Sequence, residues 1–361
     1  MTLLTPKHNS TQPTEGTDTM PLNDDAETLS VNNAPMKVST PSVTVFGCGG
    51  CGINLSRLVK GDLAGRAVMK YIDTSHANLR SGEDAYIITS GSGAGKVRVD
   101  VAGPITNELM NMSDDDLPVS DINIVVFAGA GGSGSVIAPI AIREIERRGG
   151  KTVAFMVIDT ISELDALNSL NTIKSLEVIC QSKNIYLPIS IFDNAVVSRD
   201  IVNTSLSNRL INLIQLLTCP TLEVDRNDRR NFLNGIKTIT AAPGLRKLHV
   251  TVGENGNDED ASGEYFTGYN NVIFDSVLSI RTDADSVSIP VRSRVRYDGI
   301  FTTLKLKPIL GVIGNRDDEF EIMIKNINDT LNSFSAKSKN YKPSISVSAS
   351  EISSDHNDLV L

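Results

Sequence analysis

The chain has 361 residues, 40% of them apolar, with no Trp and only 5% aromatics, so its cores are aliphatic and its length suits about two folded domains plus tails at roughly 150 residues each. Its formal net charge of −9 argues against direct nucleic-acid binding, which needs a basic surface, and favours a soluble, mildly self-repelling protein. No apolar run reaches the roughly 18 residues of a membrane helix, the start Met1-Thr2-Leu3-Leu4-Thr5-Pro6-Lys7 has no signal-peptide pattern, and four cysteines (Cys48, Cys51, Cys180, Cys219) are too sparse for a disulfide scaffold, so a reducing cytoplasm is expected and no membrane partner.

Residues 1–40 are rich in Thr, Asn, Pro, Asp and Ser without helical or strand period, which predicts a disordered arm. An α/β pattern starts at Val43. Apolar strands are predicted at Val43–Phe46, Ala67–Ile72, Ile122–Phe127, Thr152–Ile158 and Ile185–Phe192, with a strand-like run at Ala85–Ile88. Near-continuous apolar strands alternating with helices indicate a parallel sheet covered on both faces. Val136, Ile137, Ile140, Ala141 and Ile145 make one helix face, ended by Gly149-Gly150. Leu164, Leu167, Leu170, Ile173 and Leu176 predict a second helix. Arg199–Leu217 turns apolar on most sides toward its end, which predicts a helix buried between two domains.

Val287–Tyr297 and Thr302–Leu310 alternate in places as half-buried strands do, and Glu319–Phe334 is amphipathic. These segments predict a second, mixed α/β domain over 235–335, with the acidic, Gly-rich Gly253–Gly263 as a mobile loop. The expected organisation is therefore an arm to residue 40, a first domain over 41–198, a central helix and following loop over 199–234, the second domain, and an acidic tail over 336–361.

The chemistry is carried by glycine loops. Gly47-Cys48-Gly49-Gly50-Cys51-Gly52 follows a strand and opens a helix at Ile53-Asn54-Leu55. Glycine lets backbone N–H groups approach phosphate oxygens, and the helix N-terminus adds partial positive charge. The string also fits G-x-G-x-x-G, with Asp73 21 residues after Gly52. On this stretch alone an NAD-dependent Rossmann oxidoreductase leads. Cys48-x-x-Cys51 could be a redox pair or half a zinc site, but His76, His249, Cys180 and Cys219 are scattered, so no metal ligand is assigned.

Ala128-Gly129-Ala130-Gly131-Gly132-Ser133-Gly134-Ser135 is a second such loop at the end of a buried strand. A dinucleotide fold needs one pyrophosphate loop, whereas two suggest one phosphate chain gripped from both sides. A third loop is Ser90-Gly91-Ser92-Gly93-Ala94-Gly95-Lys96, and the chain has no G-x-x-x-x-G-K-[ST], so it is not a P-loop NTPase.

Ala130–Ser135 resembles the tubulin signature G-G-G-T-G-[ST]-G, with Ser133 at the Thr position and Val136 at the final Gly. Gly47–Asn54 is similar to the first nucleotide loop of FtsZ, Asp73-Thr74 to its second, and Gly91–Lys96 to the loop that senses the terminal phosphate. Asn171–Glu177 and Leu187-Pro188-Ile189 resemble segments of the tubulin-like proteins of large bacteriophages. The likeness runs through about 43–235 and more weakly to the C-terminus.

That resemblance implies a parallel-sheet GTP-binding domain, a long central helix, a second mixed α/β domain, and GTP hydrolysis to GDP and phosphate with Mg²⁺. It places nucleotide contacts at Gly49, Gly50, Cys51, Asn54, Asp73, Gly93, Ala94, Gly95, Gly129, Gly131, Gly132, Ser133, Gly134, Ser135, Asn168 and Asn203. Asn54 and Asn203 stand where the family meets the guanine edge. The catalytic loop N-x-D-x-x-[DE] falls on Glu223-Val224-Asp225-Arg226-Asn227-Asp228, with Asp225 and Asp228 as the acids and Glu223 in place of Asn. Two acids three apart at a helix entry share one face, and an ordinary N-cap with first-turn acids explains the same pattern. In the family these acids enter the next subunit's pocket, so the implied partner is a second copy, in a head-to-tail filament. Its implied cargo is the phage DNA compartment or capsid, in the host bacterial cytoplasm. A plasmid-segregation tubulin and a non-hydrolysing structural filament protein are the near alternatives.

Overall fold

The computed structural model describes residues 42–63, 65–88, 93–218, 226–234, 242–252, 279–281, 286–291, 309–314 and 318–340. The arm over 1–40, Gly91, Ser92, Cys219, Glu223, Asp225, the loop Gly253–Gly263, most of Thr302–Leu310 and the tail beyond Asn340 lie outside the described residues, as does the Asp228 side chain.

The first strands run β1 (Val43–Cys48), β2 (Val68–Asp73), β3 (Ala85–Ile87), β4 (Ile122–Ala128), β5 (Lys151–Ile158), β6 (Tyr186–Asp193) and β7 (Gly244–Val252). They are parallel neighbours in the order β3-β2-β1-β4-β5-β6-β7. The helices are α1 (Gly49–Val59), α2 (Arg98–Met110), α3 (Gly134–Arg147), α4 (Glu163–Lys183), α5 (Arg199–Thr218), α6 (Arg226–Phe232) and α7 (Asp318–Asn340). The central strands bear a core on either face. One face packs Leu55 and Val59 of α1 and Leu206, Leu210 and Leu213 of α5 against Val45, Ile124 and Phe155. The other packs α2, α3, α4 and α7 against Phe46, Val125, Phe127 and Met156. This two-sided burial is why the strands carry no polar alternation.

From β7 the sheet continues into antiparallel β10 (Ile309–Gly314), β9 (Ser286–Val291) and β8 (Ser279–Arg281). The strands expected in a second domain thus extend the edge of the same sheet.

Several elements differ from the sequence expectation. Helix α1 opens at Gly49, four residues before Ile53, because Gly49 at φ +69° and the glycines after it make its first turn. Helix α2 has no strong apolar stripe in the sequence and contains Pro104, yet Ile105 and Leu109 anchor it. Strand β7 escapes notice because Arg246 and Lys247 interrupt its apolar run. Helix α7 runs six residues past Phe334. Helix α5 is one-sided at its start, with Ile201 exposed, and buried at Leu213, Ile214, Leu216 and Leu217.

Candidate nucleotide site

Strand order reverses between β1 and β4: β2 and β3 lie on one side of β1, and β4 onward on the other. Loops leaving such a switch point form the ligand crevice of open α/β sheets. The loops here are Gly47–Gly52 after β1 and Ala128–Ser135 after β4.

The two loops touch backbone to backbone. A Cβ on Gly49 would stand 2.6 Å from the Gly134 nitrogen, and one on Gly134 2.7 Å from the Cys48 carbonyl oxygen. The third loop joins them, since a Cβ on Gly132 would meet the Lys96 nitrogen at 2.7 Å and the Ala94 Cβ at 2.9 Å. Gly52 lets α1 lie on β4, for a Cβ there would be 2.0 Å from the Val126 carbonyl oxygen. Neither α1 nor α3 has a side-chain cap on its first turn, whereas α4 has Ser162. The Ser135 hydroxyl turns to the Gly132 carbonyl instead. Two uncapped helix N-termini therefore converge, each a source of free N–H groups for an anion.

Side chains brace these loops from behind. The Asn168 amide donates to the Lys96 carbonyl (3.0 Å) and the Ala130 carbonyl (3.2 Å), and the Thr172 hydroxyl donates to the Gly129 carbonyl (3.0 Å). Arg98 donates to the Asn168 carbonyl, to the Thr172 hydroxyl and to Ser175. Lys96 sits in the left-handed region at φ +64°, and its ammonium pairs with Asp165 at 2.7 Å. Burial pushes the Asp165 carboxyl up, but the bonds from Lys96 and Ser162 outweigh it and hold it below its ordinary range.

Asp73 is wholly buried. One carboxylate oxygen accepts from the Thr74 N–H and the other from the Asn78 amide, both at 2.7 Å. Burial raises its pKa, against the lowering by those bonds. An acid so engaged is not presented to a cofactor ribose as the dinucleotide fingerprint requires. The hydroxyls of Thr74 and Ser133 share a 2.5 Å hydrogen bond that ties the second loop to the glycine loop of β4. Cys48 lies in the core, where burial and then the Asp73 charge push its thiol well above its usual range, while Cys51 is exposed. Among the described residues no group of three or more His, Cys, Asp or Glu is placed to hold a metal ion.

A cavity of about 690 Å³ opens where the loops meet, within the roughly 300–1,000 Å³ of small-molecule sites. Of the residues singled out in the sequence, Gly50, Cys51, Asn54, Gly131 and Asn203 line it. Gly49, Asp73, Gly93, Ala94, Gly95, Gly129, Gly132, Ser133, Gly134, Ser135 and Asn168 are not among its lining residues. The wall also holds Asn78, Lys96, Asp159, Asp165, Asn194 and Arg199. Two of these had a signal in the sequence: Asn194 follows the last residue of a buried strand, and Arg199 is one helical turn before Asn203. The Asn194 side-chain oxygen is buried without a hydrogen-bond partner. Asn54 accepts from Arg57 at 2.7 Å, and Arg57 in turn holds Glu83 through two bonds of 2.7 and 2.8 Å.

Helix α6 lies at the far end of the sheet. Arg226 donates to both Asp121 carboxylate oxygens at 2.6 Å, and Arg230 to one at 3.2 Å. Asp121 immediately precedes β4, and the glycine loop follows it. The seven residues of β4 separate the two by roughly 20 Å at about 3.3 Å per residue.

No protein-family model matches the chain. It is 29% identical over 223 residues to a phage tubulin-like protein of Pseudomonas phage PhiPA3, covering 59% of this chain and 68% of that one. The phage tubulin PhuZ with GDP superposes with a TM-score of 0.68 at 19% identity, over 84% of this chain and 95% of that chain. A TubZ protofilament from bacteriophage PhiKZ superposes with a TM-score of 0.66 at 20% identity, over 84% and 94%. The chain thus has the fold of the phage tubulin structures, and its sequence is similar to those of phage tubulin-like proteins.

Proposed function

We propose that the chain is a GTPase that binds GTP in the crevice between β1 and β4, assembles head to tail, and hydrolyses GTP at the subunit interface. The observation that carries this reading is the span of β4. Helix α6 is tied through Arg226 and Arg230 to Asp121, roughly 20 Å along β4 from the glycine loops, which supports a role for the acids beside it in sequence in a pocket other than the chain's own. A second copy in the stack supplies that pocket. Such a heterologous contact does not close, and it therefore yields a filament. That a relative is described as a protofilament and another carries GDP supports the same reading.

The chain's own groups suit phosphoryl transfer to water. The first turns of α1 and α3 hold phosphate oxygens through backbone N–H groups. Gly49, Gly129, Gly131, Gly132 and Gly134 permit close approach, and Gly93, Ala94 and Gly95 lie beside them. Asp73, Ser133, Ser135 and Asn168 support the loops. The donor set on the wall, Asp159 and Asp165 with no imidazole or thiolate cluster, fits a Mg²⁺ held mainly by phosphate oxygens. When bound, that ion neutralises phosphate charge. Asn54, Asn203 and Asn194, whose side-chain oxygen has no partner, form the wall that would read a purine edge, since guanine offers both N–H donors and ring-nitrogen acceptors. The neighbour's Asp225 and Asp228 orient the attacking water. The phage origin of the relatives supports work in a host bacterial cytoplasm, positioning phage DNA or capsids.

The test is Asp228→Ala. It is expected to bind GTP and polymerise as before while phosphate release per subunit falls by about 10²–10⁴-fold, the usual range for a positioned acid or base. Phosphate release that is independent of protein concentration, or calorimetry favouring NAD over GTP, overturns the reading.

A further inference from the structure

A purine has two flat faces as well as an edge, and a protein covers such a face with an aromatic ring, an apolar side chain or the plane of an arginine guanidinium. Among the described residues that line the cavity there is no Phe, Tyr, Trp or His. The largest planar group on its wall is the guanidinium of Arg199. Arg199 is exposed and makes no hydrogen bond or ion pair with a described residue. It is also the first residue of α5, where the helix dipole disfavours a cation. Neither pairing nor helix formation accounts for an arginine there.

The topology sets Arg199 against the amides on the wall. Helix α1 connects the parallel strands β1 and β2, and α5 lies in the chain between the parallel strands β6 and β7. Both helices therefore run back from the C-terminal edge of the sheet in the same direction, and they pack on the same face. Asn54 is on the second turn of α1 and Asn203 on the second turn of α5. Four helical residues rise about 6 Å. Arg199 stands that far before Asn203, and Leu58 that far beyond Asn54. Leu58 lines the same cavity and is 58% exposed, so it offers an apolar surface there. The two amides thus have a guanidinium at one level and an aliphatic side chain at the other. Further along α5, the Arg209 guanidinium already lies over the Phe192 ring, 5.0 Å from its centroid.

We infer that Arg199 is the base-stacking residue of the pocket: its guanidinium covers one face of the bound purine, with Leu58 on the other face and the Asn54 and Asn203 amides at the edge. The inference rests on the reading above that the cavity binds GTP. It adds a source of affinity that any purine can use, and it leaves the choice of guanine to the amides. A guanidinium suits this task because it is planar and weakly hydrated, whereas a lysine ammonium is a point charge without a face.

The experiment measures, by calorimetry on the full-length protein, the binding of GTP, GDP and inorganic tripolyphosphate to wild type, Arg199→Ala, Arg199→Lys and Arg199→Phe. Arg199→Ala is expected to weaken GTP and GDP by the same factor, about 10- to 100-fold, and to leave tripolyphosphate, which has no base, within about twofold of wild type. Arg199→Phe restores a face without the charge and is expected to hold both nucleotides within about fivefold of wild type, while Arg199→Lys behaves like Arg199→Ala. The opposite order, with lysine keeping affinity and phenylalanine losing it, makes Arg199 a phosphate contact and overturns the inference. An equal loss for tripolyphosphate, or wild-type GTP affinity in Arg199→Ala, overturns it as well. If wild type itself prefers NAD to GTP, the reading of the pocket fails first and takes this inference with it. Should Arg199→Phe not fold, Arg199→Tyr serves in its place, with the same expected pattern and the same overturning results.

Discussion

The two ends of β4 solve opposite problems with opposite materials. At its C-terminal end, three loops meet through backbone alone, and the decisive feature is the side chain that is missing, with Cβ positions at Gly49, Gly132 and Gly134 blocked at 2.6–2.7 Å. At its N-terminal end a carboxylate and two guanidiniums make the joint. A site for a polyanion needs many N–H groups within reach and no bulk. A short helix at a strand end is held by charge-assisted bonds that its own few hydrogen bonds could not replace.

The contrast is broken most sharply by adding one methyl group at the glycine end. Gly52→Ala puts a Cβ 2.0 Å from the Val126 carbonyl oxygen, and neither backbone can yield. A loss of about 3 kcal/mol is expected, read from the denaturant midpoint, together with loss of GTP binding as α1 lifts from β4. Gly129→Ala is the control. Its Cβ meets the end of the flexible Met156 side chain, so its midpoint should move much less.

A smaller effect is expected at Asn168, where a side chain acts on the cradle only through carbonyl groups. Asn168→Ala removes the donor shared by Lys96 and Ala130, and leaving buried acceptors unmet costs about 1–3 kcal/mol. GTP affinity by calorimetry should weaken by about tenfold while the fold persists. Unchanged affinity would mean that the glycine contacts alone hold the loops in place.

The smallest effect belongs to the ion pair beside the pocket. Arg57 holds the Glu83 carboxyl at about 2, below the ordinary 4.5. A depressed folded-state value means that the stabilisation is complete above about 4.5 and fades as pH falls toward about 2. Glu83→Gln should therefore cost about 1 kcal/mol at pH 7, with the difference from wild type closing in the acid limb of a pH–stability curve. A gap that persists near pH 2 would show that the glutamine packs badly and that the charge is not the cause.

Of the cavity wall, Gly50, Cys51, Asn54, Gly131 and Asn203 carried a local signal in the sequence. A glycine run between a buried strand and a helix suggests an anion site, and two such runs suggested one phosphate chain gripped from both sides in place of a dinucleotide fold. Asn168 was singled out, but its place behind the loops, bonded to Lys96 and Ala130, depends on residues 72 and 38 positions away. Asn78 and Asp165 had no signal at all. Each is an ordinary polar residue in a turn or first helical turn until the sheet brings it to the cavity.

The sequence by itself determined the parallel α/β sheet, the glycine loops after the strands now seen as β1 and β4, and the buried end of α5, because strand burial, helical period and glycine each act within a few residues. Only the tertiary structure decided that Asp73 is a buried brace, that the later strands continue one sheet, and that α6 is tied to Asp121, 105 residues before Arg226. Those relations are contacts between segments far apart in the chain, and no short-range pattern can encode a distance that chain folding alone creates.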